Sequence, residues 1–427
     1  MCAKQKNKFS YHSHNQEVKS ILRRGFEMRK IFKLNILAAS VLAATSFTAV
    51  AETKSQEAVD TTVDLNFRYR IETVDQDGFN KDASASTLRT RATVKTKWSD
   101  SIKTVFEFDD VTELGLDNFN SGMGTSGADR AQYPIIADPV GTELNQGYLQ
   151  YASGDTKAAI GRQRILLGNQ RFVGGVGWRQ NEQTYDSLTF NTKFSKDFSF
   201  NAAYVFNVNR IFGETVGAGD HTHNTFLFNA DYKLSNGKLS GYYFSIDNED
   251  AVGLSNNTFG IRYAGKMNAF SYNLEFASQS DAGDNPASYD ANYYLVEGNY
   301  KVDAASFGAG MEVLGGDTAG GRGFTTSLAT LHKFQGWADV FLGTPVAGIE
   351  DLYLNATYGV NGYKFKVVYH DFTTDEGGID LGTEIDFVVS KKFSKHFSGL
   401  LKLASFDSDN TSYASRDKVW FMITYKP

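Results

Sequence analysis

Apolar and polar side chains alternate with a period of two along most of the chain. The segment VDLNFRYRIE, residues 63–72, has an apolar face and a polar face. The apolar face carries Val63, Leu65, Phe67, Tyr69 and Ile71, and the polar face carries Asp64, Asn66, Arg68, Arg70 and Glu72. Such alternation predicts a strand that is covered on one side only. The pattern recurs at residues 88–98, 198–208, 224–234, 269–279, 363–371, 381–389 and 417–425.

The connections between these segments alternate between short and long. Short turns with hairpin residues are predicted near residues 99–100, 153–156, 196–197, 236–237, 266–268, 302–303, 361–362 and 394–395. Polar, glycine-rich loops are predicted at 75–85, 115–143, 168–183, 213–223, 247–256, 280–290, 315–349, 373–380 and 407–416. All four internal prolines fall in these loops, because proline lacks the donor that a ladder needs. Eight short turns and nine long loops join eighteen strands.

This rhythm favours an all-β fold, a transmembrane antiparallel β-barrel of about 18 strands with short periplasmic turns and long extracellular loops. An even strand number and an apolar face rich in aromatic residues are typical of barrels in the bacterial outer membrane. A lipid-embedded sheet must close, since an open edge leaves unpaired backbone groups in hydrocarbon. A soluble β-sandwich also alternates, but its connections have no consistent long and short rhythm.

The first 60 residues are expected to stand apart from the barrel. Residues 1–27 are interpreted as an upstream extension produced by a mis-chosen start. Residues 28–51 combine a basic start, an apolar stretch and the small-residue site Ala49-Val50-Ala51, which predicts a secretory signal peptide. Residues 52–60 are then a periplasmic lead-in, and residues 61–427 form the outer-membrane β-barrel.

Charge and cysteine content exclude several classes of function. Without residues 1–51 the chain has 34 basic and 47 acidic residues, a net charge near −13, which argues against a nucleic-acid partner. The only cysteine, Cys2, is removed with the signal, so no disulfide or thiolate chemistry is expected. His221 and His223 have a metal-like spacing without a third ligand, and we interpret them as part of a loop. We expect no metal, cofactor or catalytic residue.

Arginines concentrate on the face that is expected to line the lumen. Arg68 and Arg70 lie on the polar face of the first strand, and Arg89 and Arg91 lie on that of the second. In the predicted hairpin, residue 70 lies opposite residues 89–91. Four guanidinium groups should therefore converge on one patch of wall, which Glu72, Glu107 and Asp109 partly neutralise.

The segment 161–186, GRQRILLGNQRFVGGVGWRQNEQTYD, adds four arginines. Arg162 and Arg164 are predicted to share one face of a strand that ends near Leu167, and Gln163 on the other face weakens the alternation enough to allow a bulge. Arg171 and Arg179 follow in a glycine-rich loop that can fold back against the wall. Trp178 could anchor this loop or stack on a sugar ring.

Two interpretations of these arginines stay open. A row of guanidinium groups that faces a water-filled channel favours an anionic solute, because each binds a carboxylate as a bidentate fork. In the alternative, Glu107, Asp109, Glu182 and Asp186 pair with them, and the pairs only hold a loop in place.

Two blocks of the sequence resemble the alginate-export family of bacterial outer-membrane β-barrel porins. They are residues 161–188, GRQRILLGNQRFVGGVGWRQNEQTYDSL, and residues 328–354, LATLHKFQGWADVFLGTPVAGIEDLYL. The resemblance implies an eighteen-stranded barrel whose arginine-rich constriction passes an anionic polyuronate. It makes Arg162, Arg164, Arg171 and Arg179 the candidates for that constriction, whereas Arg68, Arg70, Arg89 and Arg91 follow from the face argument alone.

The predicted function is a porin-like channel for passive passage of anionic or sugar-acid solutes. Its expected partners are outer-membrane lipid and lipopolysaccharide, an anionic small molecule or polyuronate, and the barrel insertion machinery. The last strand, KVWFMITYK, resembles the insertion signature of such barrels. The alternatives are a general diffusion porin without anion selectivity, an outer-membrane barrel enzyme, and a non-conducting adhesion barrel.

Overall fold

The computed structural model describes residues 59–122 and 130–427, and these fold into one closed antiparallel sheet. Its eighteen strands are β1 Asp60–Gln76, β2 Ala83–Lys97, β3 Ile102–Asn118, β4 Gly141–Ser153, β5 Thr156–Gln163, β6 Thr184–Lys193, β7 Phe198–Asn209, β8 Asp220–Leu234, β9 Gly237–Ile246, β10 Asn256–Met267, β11 Phe270–Asp281, β12 Asp290–Val302, β13 Ala305–Gly315, β14 Gly348–Val360, β15 Tyr363–Thr373, β16 Asp380–Lys392, β17 Phe397–Ser408 and β18 Arg416–Tyr425. Short 3-10 helices occupy Gly217–Gly219, Val252–Leu254 and Leu331–Lys333. None of the helices in this described part is long and apolar enough to cross a membrane.

The predicted strand number and loop rhythm are confirmed. Eight connections have two to four residues, and nine have six to thirty-two. The extension at 1–27, the signal peptide at 28–51 and most of the lead-in at 52–60 lie outside the described residues.

Each strand pairs with its neighbour in sequence, and β1 closes the ring by pairing with β18. In the first hairpin Arg68 lies opposite Arg89, and Arg70 lies opposite Thr87. The expected pairing of residue 70 with residues 89–91 is therefore wrong by two or more positions. The difference arises because β2 begins at Ala83, inside the predicted loop 75–85, so that Val74 pairs with Ala83.

The outer face of the barrel is apolar, as the alternation predicts. Leu352 and Leu354 project from the middle of β14 with half or more of their surface exposed. Exposed aromatic rings gather at the end with the short turns, where they form the interfacial girdle of a membrane barrel; they are Tyr232, Tyr300, Tyr358, Tyr363, Phe393 and Phe397. The lipid-facing surface is thus built from alternate residues of every strand.

Two long loops, residues 164–183 and 316–347, fold into the barrel rather than away from it. Phe172 of the first and Phe324 of the second pack together with a ring distance of 5.7 Å and contact Tyr293 on the wall. A parallel bridge between Val173 and Leu328 joins the two loops. The wide, water-filled interior expected from the strand number is therefore narrowed by a packed apolar cluster.

Strand β5 ends earlier than its sequence suggests. It stops at Gln163 instead of near Leu167, and no register shift interrupts its pairing with β4 or β6. Its local distortion lies at Gly161, which has a φ of +123°. A Cβ there would lie 2.3 Å from the carbonyl oxygen of Gly147, so only glycine fits.

The two faces of β14 allow a direct test of the lipid boundary. We expect Leu354→Arg to lower the free energy of unfolding in lipid vesicles by about 2–4 kcal/mol, because it places a guanidinium group in hydrocarbon. Asn355→Arg is the matched control, since Asn355 lines a cavity inside the barrel. An equal loss of unfolding free energy for the two variants in urea titrations would contradict this assignment of faces.

Candidate functional site

The loop 164–183 crosses the lumen because its backbone is bonded to the other infolded loop. Gly174 N–H donates to the carbonyl of Leu328 at 2.8 Å, and Thr330 N–H donates to that of Gln170 at 3.0 Å. The buried Tyr185 hydroxyl donates to the carbonyl of Gly174 at 2.7 Å. The glycines in this loop allow the close approach, so the predicted return of the chain against the wall is confirmed.

A first group of charges, the Glu182 network, joins this loop to the walls of β2 and β3. It consists of Arg89, Arg91, Glu107, Asp109, Arg164 and Glu182. Arg91 donates to Asp109 at 2.6 Å and to Glu182 at 2.7 Å. Arg164 binds both Glu107 and Glu182, and Arg89 lies 3.9 Å from Glu182. Glu182 is therefore the point at which three arginines meet.

The ionisation of Glu182 follows from these neighbours. Burial alone would raise the pKa of its carboxyl group, but Arg91 and Arg164 outweigh burial and lower the pKa to about 2. Glu182 is therefore a carboxylate over the whole physiological range of pH.

A second group, the Glu72 network, joins both infolded loops to β1 and β18. It consists of Arg70, Glu72, Asp138, Arg179, Asp339 and Lys418. Arg179 bridges Glu72 at 2.9 Å and Asp339 at 3.0 Å, and Lys418 bridges the same two carboxylates at 3.3 and 2.7 Å. Arg70 completes the group by binding Asp138 at 2.9 Å.

The two networks are balanced, since each contains three cations and three carboxylates. Their members are nearly all buried, and a buried charge without a partner is costly. These arginines therefore lie under the loop, whereas one of the two interpretations expected them to face open water. In this arrangement they anchor the loop, as the second of the two open interpretations describes.

The other candidate arginines have separate positions. Arg171 donates to Glu312 on β13 at 2.7 Å and to Gln335 at 2.8 Å. Arg162 binds Asp186 at 2.8 Å and also Glu214. Arg162 and Arg164 were expected to share one face, but they bind different carboxylates because the strand ends between them.

Arg68 differs from the other predicted arginines because none of its contacts within the described residues is an ion pair. It is buried and donates to the side chain of Gln180 at 2.9 Å and to the carbonyls of Gly177 and Arg179. No carboxylate of the described residues lies within ion-pair distance of it. Arg68 is therefore a buried guanidinium group outside the ion pairs, and Asp138 and Glu182 act on it only from a longer distance.

Three of the four tryptophans meet where the two loops touch the wall. Trp178 stacks on His332 with a ring distance of 4.6 Å and contacts Trp420 edge-on at 5.8 Å. The amino group of Lys402 lies 4.3 Å from the Trp178 ring and 3.8 Å from the Trp337 ring. Trp178 thus anchors the loop, which was one of its two predicted roles.

The histidine in this cluster is neutral. Burial lowers the pKa of His332 well below its usual value despite the neighbouring Asp339. Its Nδ1 lies 2.6 Å from Asp339, to which it donates, and its Nε2 lies 2.6 Å from Lys402, from which it accepts. The imidazole therefore links the wall to the Glu72 network.

Sequence reasoning missed two arginines at the extracellular mouth, Arg210 and Arg416. Both line a cavity of about 450 Å³ above the infolded loops. Each lies at a strand end, outside the alternating segments, so the face argument could not find it. Neither arginine has a distinctive signal in the sequence, since Glu214 follows Arg210 by four positions and Asp417 directly follows Arg416.

The histidine pair 221 and 223 was wrongly placed in a loop. Both residues lie in β8 and are buried, with Nδ1 contacts to Asn248 and Thr225 at 3.0 Å. Within residues 59–122 and 130–427, no three His, Cys, Asp or Glu side chains are placed to hold a metal ion.

A sequence profile described as alginate export matches residues 59–318 of the chain. This match covers more than half of the chain. A comparison with curated proteins finds no match.

Solved structures with the same fold include outer-membrane proteins of Pseudomonas aeruginosa and Acinetobacter baumannii. OpdK of Pseudomonas aeruginosa is 13% identical, with a TM-score of 0.66, over 86% of this chain and 98% of that one. OccK11 (OpdR) of the same organism is 14% identical, with a TM-score of 0.65 over 86% and 96%. OccAB4 of Acinetobacter baumannii is 14% identical, with a TM-score of 0.63 over 88% and 100%. At these identities the likeness concerns the fold.

Removing the shared carboxylate should destabilise the protein. We expect Glu182→Gln to lower the free energy of unfolding by about 3–5 kcal/mol, because it leaves buried guanidinium groups with too few partners. The matched control is Glu214→Gln at the rim, where a partly exposed ion pair contributes about 1 kcal/mol or less. A loss of unfolding free energy for Glu182→Gln that is no larger than the loss for Glu214→Gln would contradict the anchoring role.

Proposed function

Because this chain belongs to the alginate export family of outer-membrane channels, we propose that it passes anionic or sugar-acid solutes passively through an arginine-lined lumen. The chain is a porin-like barrel of the bacterial outer membrane. The selectivity for anions and the residues responsible for it are the proposal. We propose no reaction and no cofactor for this channel.

The observation that supports anion selectivity is a set of three guanidinium groups that stand outside the ion pairs. The Glu72 and Glu182 networks cancel internally, whereas Arg68, Arg210 and Arg416 have no carboxylate within ion-pair distance among the described residues. Arg68 lies at the narrow level of the infolded loop, and the other two lie at the mouth. A narrow passage with low-dielectric walls concentrates such a field and raises the local concentration of anions.

The fold is compatible with a small organic anion. The structure of OpdK that resembles this chain was determined with vanillate, which is an aromatic carboxylate. That property belongs to OpdK, and for this chain it supports only the proposal that a barrel of this kind can admit such a solute.

A general diffusion porin without anion selectivity is the second candidate. The internal balance of the two networks favours it, because balanced charges orient a loop without attracting either sign of ion. The arginines predicted as pore residues would then be structural, and the channel would discriminate by size alone.

Maturation and assembly complete the proposal. We infer that residues 28–51 direct export and are cleaved, that β18 is recognised by the barrel insertion machinery, and that lipopolysaccharide contacts the outer face. Exposed rings on β18 such as Phe421 are suited to these contacts.

Charge selectivity is tested by the reversal potential in a salt gradient across a planar bilayer. We expect wild-type channels in a KCl gradient to prefer chloride. Arg68→Gln should lower the chloride preference roughly two- to sixfold, the effect of one charge about 8 Å away in a partly aqueous passage. Arg68→Lys is the control, because it retains the charge and loses the guanidinium fork. Equal reversal potentials for wild type and Arg68→Gln would support the unselective porin instead.

A further inference from the structure

The cavity at the extracellular mouth has two chemically different walls. Five loops and the start of β18 enclose its volume of about 450 Å³, which is a typical size for a small-molecule site. One wall is apolar and is formed by Phe79, Ile135, Phe212, Leu331 and Leu342, and the other carries Arg210 and Arg416. We call this space the mouth cavity.

Arg416 has donors that the protein does not use. Its Nη1 donates to the carbonyls of Ala338 and Asp339 at 3.0 and 2.9 Å. Its Nε is buried without a partner, and its Nη2 has no acceptor among the described residues. The guanidinium group is held by backbone carbonyls, and no carboxylate of the described residues lies within ion-pair distance of it, although Asp339 and Glu384 interact with it from farther away.

Arg210 adds a second charge of the same kind. Its Nη1 donates to the carbonyl of Ala218 at 3.1 Å, and its guanidinium carbon lies 5.3 Å from the ring centre of Phe212. Burial lowers the pKa of Arg210, and no carboxylate opposes this effect. The Phe212 ring thus joins the apolar wall to the charged one.

The remaining charges of the mouth cavity are already paired. Asp339 is the carboxylate on its wall, and it is held by Arg179, Lys418 and His332. Asp339 also interacts with Arg416, but it forms no ion pair with Arg210 or Arg416. The lining residues carry four cations, Arg179, Arg210, Arg416 and Lys418, and one carboxylate.

We propose that the mouth cavity binds a small monocarboxylate with an apolar ring, of the benzoate or cyclohexanecarboxylate type. Its carboxylate accepts hydrogen bonds from Arg416 in the field of Arg210, and its ring packs against Phe212, Leu331 and Leu342. This inference rests on the proposed passage of anions and specifies the class of solute.

A polyuronate fits this cavity poorly for two reasons. Each of its sugar rings carries hydroxyl groups that would lose their water against the apolar wall, and a buried hydroxyl without a partner is unfavourable. The enclosed volume also holds a single ring with its substituents rather than a run of linked sugars.

Equilibrium binding to the full barrel in detergent tests this inference without measuring conductance. In isothermal titration we expect benzoate and cyclohexanecarboxylate to bind at least tenfold more tightly than benzyl alcohol, which lacks the charge, and gluconate, which lacks the apolar ring. Equal binding of benzoate and gluconate would overturn the proposal in favour of a general anion site.

Variants identify the two walls separately. Arg416→Gln should weaken benzoate binding roughly ten- to a hundredfold, the range for losing a charged hydrogen bond. Arg322→Gln is the matched control, since no carboxylate in the described part of the chain forms an ion pair with Arg322, which is not among the residues lining the cavity. Leu342→Asn should weaken the binding of benzoate without changing the binding of gluconate. Unchanged benzoate affinity in Arg416→Gln would overturn the proposal. If Arg416→Gln does not fold, Arg210→Gln takes its place in the same measurement, with the same expected loss of benzoate affinity.

The binding result and the selectivity result are independent. Benzoate binding that depends on Arg416, in a channel with no chloride preference, would retain the site and overturn the proposed anion selectivity. A chloride preference without benzoate binding would retain the proposed function and overturn the inferred class of solute.

Discussion

The structure depends on one electrostatic constraint, which is that a guanidinium group can be buried in this barrel only beside a carboxylate or a backbone carbonyl. Glu182 draws the arginines of β2 and of the infolded loop together, and Glu72 does the same for Arg179 and Lys418. These pairs position the loop 164–183 across the lumen. The narrow level of the channel is thus a consequence of charge pairing as much as of chain length.

The strand number, the closure and the lipid-facing residues could be predicted because alternation is a local property of the sequence. The partners of the arginines could not, since they depend on where a twenty-residue loop lies. Arg162 and Arg164 illustrate how far the sequence pattern can predict side-chain positions. They bind different carboxylates because β5 ends between them, at Gln163. The position of Arg416 could not be predicted because its hydrogen-bond partners, the carbonyls of Ala338 and Asp339, are distant in sequence.

This arrangement separates two tasks, anchoring the loop and selecting the ion, that the sequence of the arginine-rich segment does not distinguish. In the proposed function, residues of the balanced networks hold the loop, and guanidinium groups without an ion pair set the field that a solute meets. The aromatic cluster around Trp178 and Lys402 supports the first task by fixing the point at which both loops meet the wall. Membership of the alginate export family is compatible with this division, because loops and surplus charges can change while the barrel stays the same.

The most direct test of this account is the reversal potential of the double variant Arg164→Gln/Glu182→Gln in a KCl gradient. It removes a cation and a carboxylate from the same network, so the net charge of the lumen does not change. The account predicts the chloride preference of the wild type in this variant. Loss of that preference would show that the paired arginines themselves select the ion, which would contradict the separation of anchoring from selectivity.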